Sequence, residues 1–240
     1  LMHIDYVKTP FTNNPSMQKY SGPLLKKDPR KMYLDEKLLQ ISTYGEDLYG
    51  ESEIFRDSNL IELVCNKLEI SSQKSLKDLS LLIEEDIAVM HNGKLEGISF
   101  CFPSGWIPSK AIGEDFIFLH NPVADNDLLI KSAEKLTKYM YKNTIRRWVW
   151  NITTINGLSN HPKVSRPLFN SIKDLYFRVE TQVSTPLDQE TSLFLVAVEV
   201  VQLEKVWDEK ILKSLNSMSE NVLEYKQLTN IKNYLNSFII

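Results

Sequence analysis

His120 is the residue best placed to do chemistry: it closes the apolar run Phe116-Ile117-Phe118-Leu119 and stands two residues before Pro122. An imidazole there sits at the edge of a core, where it can act as a ligand, and the proline fixes the chain direction just after it. The same placement suits a structural histidine satisfied by its neighbours, and the residue alone does not separate the two. The other three histidines offer less. His91 falls in an expected turn and reads as solvated. His161, before Pro162 in a long loop, reads as exposed or as part of a pocket lid, and His3 belongs to the amino-terminal arm. A second constellation is Arg178, Glu180 and Gln182. Alternation on a strand sends these three, with Tyr176 and Ser184, to one face, and Phe177, Val179 and Val183 to the other. That face is either the polar outside of a half-buried sheet or a pocket lining, in which Arg178 polarises a ligand and Glu180 accepts a cationic one. Arg146 and Arg147, beside aromatic residues, can hold an anionic group such as a propionate or phosphate, or make a surface cation–π pair. Trp106, Trp148 and Trp150 read as core or pocket walls.

Much chemistry is excluded. The sequence has no GxGxxG, GxxxxGK[ST], HExxH or GxSxG motif, and no His/Cys cluster at zinc spacing. Four histidines make a multi-histidine metal site hard to build, although one suffices for a haem iron, because the porphyrin supplies the other four donors. The net charge of −3 argues against a nucleic-acid binder, and Lys26-Lys27, Arg30-Lys31 and Lys110 are too scattered for a basic stripe. With 42% apolar and 25% charged residues the chain has an ordinary globular composition. No run is long and apolar enough to span a bilayer, and the amino terminus lacks the pattern of a signal peptide. Cys65 and Cys101 have no CxxC spacing and read as buried thiols, so a cytoplasmic, non-membrane protein is expected.

The elements that must position these groups follow from periodicity. One domain is expected over residues 1–240, with an irregular arm at 1–30, a helical part at 31–80, a sheet core at 81–205 and carboxy-terminal helices at 206–240. Helical spacing occurs at 35–49, 59–68 (with Asn59 as a cap), 75–82 and 127–142. A β-hairpin is expected at 87–102, turning at Asn92-Gly93. Residues 116–119 read as a short buried strand or an extended run entering a helix. Alternating strands follow at 146–154, 175–185 and 192–203, with a long, Pro-containing loop at 156–174 that reads as functional or partly mobile. The tail divides into two helices near residues 217–219 or 229. A hairpin and a three-strand meander make a five-stranded antiparallel sheet with helices on one face, an α+β architecture with amino- and carboxy-terminal helical extensions.

Glu85-Asp86-Ile87, Cys101-Phe102-Pro103-Ser104-Gly105-Trp106, Lys110-Ala111-Ile112-Gly113, His120-Asn121-Pro122-Val123, Arg147 with Trp150, and Leu175-Tyr176-Phe177-Arg178-Val179-Glu180-Thr181-Gln182 stand in this order. The succession resembles the haem-dependent oxidative N-demethylase α-subunit family over roughly residues 80–205. It departs at Val149, where the family tends to have Asn before the Trp, and at Ala124, where it tends to have Pro.

The resemblance implies a PAS-like fold that binds haem b and oxidises a small secondary amine, dimethylamine, with O₂. Electrons would come from NADPH through partner reductase subunits that carry flavin and an iron–sulfur cluster. By the same resemblance His120 is the proximal iron ligand, and Arg178, Glu180 and Gln182 form the catalytic polar pocket. Trp106, Lys110, Arg147 and Trp150 hold or support the haem. The alternative kept open is a PAS-like haem or small-ligand binding or sensor module without turnover, and a further one is a scaffold subunit that has lost its cofactor.

Overall fold

The structure, a computed structural model, describes residues 2–13, 17–120 and 122–238. Its centre is a seven-stranded antiparallel sheet. The strands are β1 (Gln18–Lys19), β2 (Tyr49–Glu51), β3 (Asp86–His91), β4 (Lys94–Ser99), β5 (Ile145–Thr153), β6 (Tyr176–Pro186) and β7 (Thr191–Gln202). They lie in the order β1-β5-β6-β7-β3-β4-β2. The expected meander β5-β6-β7 and hairpin β3-β4 are both present, joined through β3 and β7. The expectation of five strands is corrected to seven. The two additions are short edge strands: β1 comes from the arm read as irregular, and β2 from the end of a helix placed too far along the chain. That helix, α1 (Lys31–Tyr44), stops at Gly45, whose φ of 54° is a left-handed exit that frees Tyr49 to pair with Ser99.

The remaining helices are α2 (Glu53–Asp57), α3 (Leu60–Leu68), α4 (Leu76–Ser80), α5 (Phe116–His120), α6 (Asp127–Lys131), α7 (Ala133–Met140), α8 (Glu209–Asn216), α9 (Glu220–Tyr225) and α10 (Thr229–Phe238). Residues 116–120 are therefore helix, not strand. Asn59 precedes α3 in a left-handed conformation and donates to Glu62 rather than capping the helix backbone. The tail, expected as two helices, forms three, interrupted at both candidate places. The hairpin turns through Asn92 (φ 50°) and Gly93 (φ 77°), two consecutive positive φ angles that favour an Asn-Gly pair.

Alternation along the strands builds two packed faces. On the first, Ile87, Val89, Leu193 and Leu195 bury against Phe55, Leu60, Val64, Leu76 and Leu79 of α2–α4. Further along it, Trp150, Ile152, Phe177 and Val179 bury against Ile211, Leu215, Val222, Leu223 and Ile231 of the carboxy-terminal helices. Gly97 lets the helices come close: a Cβ there would lie 2.7 Å from both Leu76 Cδ1 and Phe55 Cδ2. On the second face Ala88, Met90, Val196 and Val198 meet Tyr33 of α1 and Phe100, Phe102 and Ala111. Packed elements thus cover both faces, which corrects the expectation of helices on one. Among the described residues no helix is long and apolar enough to cross a membrane.

Candidate functional site

The site is anchored by three consecutive acids at the start of β3. Glu84 takes the Arg30 guanidinium at 2.9 and 2.8 Å and the Arg30 backbone N–H at 2.6 Å. Glu85 accepts the Lys26 N–H at 2.9 Å. Asp86 and Lys37 are fully buried, with Nζ 3.5 Å from the carboxylate. Lys37 also donates to the carbonyls of Ser80 and Glu85. Asp86 in turn accepts the N–H groups of Cys101 (3.0 Å) and Phe102 (2.8 Å), so the Cys101–Trp106 segment hangs from it. Burial raises the Asp86 and Glu85 carboxyls above the usual range, opposed chiefly by Lys37 at Asp86 and by the Lys26 N–H at Glu85. Burial, with Asp86 nearby, pushes the Cys101 thiol up to about 12, which makes it an inert neutral group. Glu85-Asp86-Ile87 is therefore a mechanical device rather than a reacting one.

The second sheet face carries the polar row expected from alternation. Arg178 Nη1 donates to Glu180 Oε1 at 2.6 Å, and Gln182 Nε2 donates to Glu180 Oε2 at 2.8 Å. Arg178 is 3% exposed and donates from Nη2 and Nε to the carbonyls of Phe102 (2.8 Å) and Leu158 (3.4 Å). It therefore ties the Cys101–Trp106 segment and the long loop to β6, and fixes the Glu180 carboxylate. Across the ladder, Arg147 stands opposite Gln182, Val149 opposite Glu180 and Asn151 opposite Arg178. On the β7 side the same rows run into Val196, Val198 and Val200. Arg147 makes no side-chain hydrogen bond or ion pair among the described residues. Burial lowers its pKa against the pull of Glu180.

A residue not singled out from the sequence joins this group. Lys226, just past α9, is 8% exposed, donates to Trp150 O at 3.0 Å and lies 5.4 Å from the centre of the Phe11 ring. Burial pushes its ammonium down to about 8 against the pull of Glu180, with Arg147 and Arg178 adding to the depression. Its position four residues after the buried Val222 was a readable signal. The field around Glu180 is thus one carboxylate among three cations.

The other candidates fall as follows. His120 is the last residue of α5, half-buried, and its carbonyl accepts from Val123 N and Asn126 Nδ2. Asn121 lies outside the described residues. Beyond it, Asp125 holds Ser219 Oγ and Asn221 Nδ2, which docks the segment after His120 on the start of α9. Trp106 is half-buried edge-on to Phe100 and packs beside Val196 and Val198, on the same face as the polar row. Trp150 is on the opposite face, stacked on Phe177 at 5.5 Å, and so cannot share a wall with Arg147. Arg146 is also on that opposite face, sandwiched between Tyr20 and Trp148 at 4.6 and 4.5 Å. Lys110 is exposed on the turn Pro108–Ala111. His161, expected at the surface, is 1% exposed, stacked on Tyr44 at 4.0 Å, with Nε2 3.3 Å from Asp47. The loop it belongs to is pinned by backbone bonds between Asn160 and both Pro103 and Gly105. His91, expected to be solvated, bonds Thr191 Oγ1 through Nδ1.

A cleft of about 670 Å³ lies along β2, lined by Tyr49, Gly50, Glu51 and Asp47, away from the polar row. A smaller one, about 330 Å³, opens at the Tyr176–Val200 end of the polar face. Among the described residues no group of three or more His, Cys, Asp or Glu could hold a metal ion.

A family model described as haem-dependent oxidative N-demethylase, alpha subunit-like, matches residues 46–236. The match spans the polar row, His120, Trp106 and Lys226, and leaves out α1 and the arm. No curated protein matches the chain.

Proposed function

This chain belongs to the haem-dependent oxidative N-demethylase α-subunit-like family, and from that premise we propose that it is the haem-carrying subunit of a monooxygenase that demethylates a small amine such as dimethylamine. The structural observation that supports the reading is Arg147, a half-buried cation on the site face whose charge desolvation disfavours and which, apart from the pull of Glu180, makes no side-chain hydrogen bond or ion pair among the described residues. An anionic group such as a haem propionate is the complement of that guanidinium, with Lys226 adding charge behind it. The other residues present fit the same group in kind. His120 offers one half-buried imidazole at a helix end, and one protein nitrogen would be enough for an iron whose other donors a porphyrin supplies. Val149, Val198, Val200 and Trp106 give the apolar wall. The fold is read as PAS-like and the haem as type b.

When bound, the haem supplies the oxidation of the N-methyl carbon by O₂, with electrons from NADPH passed on by flavin and iron–sulfur partner subunits. What the chain's own residues do is narrower. With haem present, His120 would hold the iron and Arg147 would take an anionic group of the cofactor, while Arg178 keeps Glu180 in one rotamer. Glu180 takes the ammonium of the amine through Oε2, displacing the Gln182 amide, while Oε1 stays on Arg178. A specific observation favours the second reading, a binding module without turnover: both Glu180 oxygens are already bonded, so substrate binding must break the bond to Gln182. Formaldehyde release from dimethylamine, measured with haem-loaded protein, NADPH and a reductase, decides between them. Release that is lost in Glu180→Gln supports turnover at this site. Stoichiometric haem with no formaldehyde from any secondary amine leaves the binding module.

A further inference from the structure

We propose that the lysine face of α6 and α7 is the docking surface for an acidic electron-donor protein. The inference rests on the monooxygenase reading, because that chemistry needs two electrons from outside: dimethylamine + O₂ + 2 H⁺ + 2 e⁻ gives methylamine + formaldehyde + H₂O. Lys131, Lys135, Lys138 and Lys142 recur at intervals of four, three and four residues along α6, α7 and the turn after α7, all four exposed, a spacing that favours one side of the segment. Leu129 and Ala133 point the other way and are buried, so the lysine side faces solvent. Residues 127–142 hold these four lysines against Asp127 and Glu134, a local excess of positive charge on a chain whose net charge is −3. Among the described residues only Lys138 of the four is in an ion pair, with Glu134.

Two further features separate this face from an ordinary solvated helix. Leu128 and Tyr139 flank these lysines and are 56% and 38% exposed, and Ile117 of α5 is 43% exposed. Apolar side chains beside a row of like charges give an interface both steering and contact area. The face is also close to the proposed iron ligand, because α7 and α6 both pack against α5, which ends in His120. Charge complementarity therefore selects an acidic partner, and the location selects one that delivers electrons.

The test uses the full chain at low ionic strength and, as the probe, an acidic plant-type [2Fe–2S] ferredoxin. Binding is read by calorimetry with haem-free protein, so that it does not depend on the haem reading, which absorption spectra check separately. Lys131→Glu/Lys135→Glu is expected to weaken binding tenfold or more and to flatten its salt dependence. Lys27→Glu/Lys74→Glu makes the same change in net charge at exposed positions elsewhere and is expected to alter binding less than twofold. On haem-loaded protein, stopped-flow reduction by the reduced ferredoxin should fall by the same factor in the first variant, while reduction by dithionite stays unchanged. Equal losses in both double variants, or no binding by the unsubstituted chain, would overturn the proposal.

Discussion

Replacing Lys226 by methionine tests the electrostatics of the site without any ligand. The ammonium is driven from an ordinary 10.5 to about 8, chiefly by burial. A fall of that size corresponds to about 3 kcal/mol of disfavoured charge in the folded protein. Because the folded-state pKa lies below the unfolded one, the penalty is fully present below pH 8. It is relieved as pH rises from about 8 towards 10.5, where the folded protein has already lost the proton and the unfolded chain has not. Methionine keeps the volume and does not titrate. The lost hydrogen bond to Trp150 O offsets about 1 kcal/mol of the gain. Lys226→Met should therefore be more stable than the parent by roughly 2 kcal/mol at pH 7, and the difference should shrink by about 1.4 kcal/mol per pH unit between pH 8 and 10. Urea denaturation of both proteins at pH 7, 8, 9 and 10 measures it, since the other titrating groups cancel in the comparison. A difference independent of pH would refute the view of Lys226 as a buried, disfavoured cation beside Arg147 and Arg178.

Lys37→Met should cost about 3–5 kcal/mol, because the fully buried Asp86 carboxylate loses its cation, and adding Asp86→Asn should recover part of that in a double-mutant cycle. Gly97→Ala should cost about 1–3 kcal/mol in chemical denaturation, since the new methyl group falls 2.7 Å from Leu76 and Phe55. Arg178→Gln removes the one cation ion-paired to Glu180 among the described residues and frees Phe102 O and Leu158 O. It should destabilise by about 3 kcal/mol or more and loosen the Cys101–Trp106 segment, read by Trp106 fluorescence. Arg147→Gln should be neutral or stabilising without ligand, because it removes a desolvated charge, yet weaken haemin uptake about tenfold in a spectral titration.

The strands that carry the site were legible because their alternation is strong. The rows Arg178-Glu180-Gln182 and Phe177-Val179 separate onto two faces as their spacing requires. The same parity rule places Arg147 and Trp150, three residues apart on one strand, on opposite faces, which leaves Trp150 a supporting position behind the sheet. The edge strands were not legible. Gln18-Lys19 has no apolar pattern, and Tyr49–Glu51 pairs only because Gly45 ends the preceding helix early. A four-residue apolar run such as 116–119 is equally compatible with a strand and with one helical turn, and here it is helix. The buried pair Lys37–Asp86 was hidden because a lysine in a helix reads as a solvated group. Its place between the buried Tyr33 and Gln40, four residues after one and three before the other, was the only clue. The family was readable from ordered motifs whose structural duty is now visible: Asp86 and Arg178 hold the backbone of the Cys101–Phe102 segment from two sides.

The central claim is that His120 carries a haem. Titrating the purified chain with haemin and following the Soret band tests it most directly, with His120→Ala and His120→Gly alongside. A one-to-one Soret shift is expected, altered in His120→Ala and restored in His120→Gly by added imidazole. No shift in the parent chain, or an identical spectrum and affinity in His120→Ala, would contradict it.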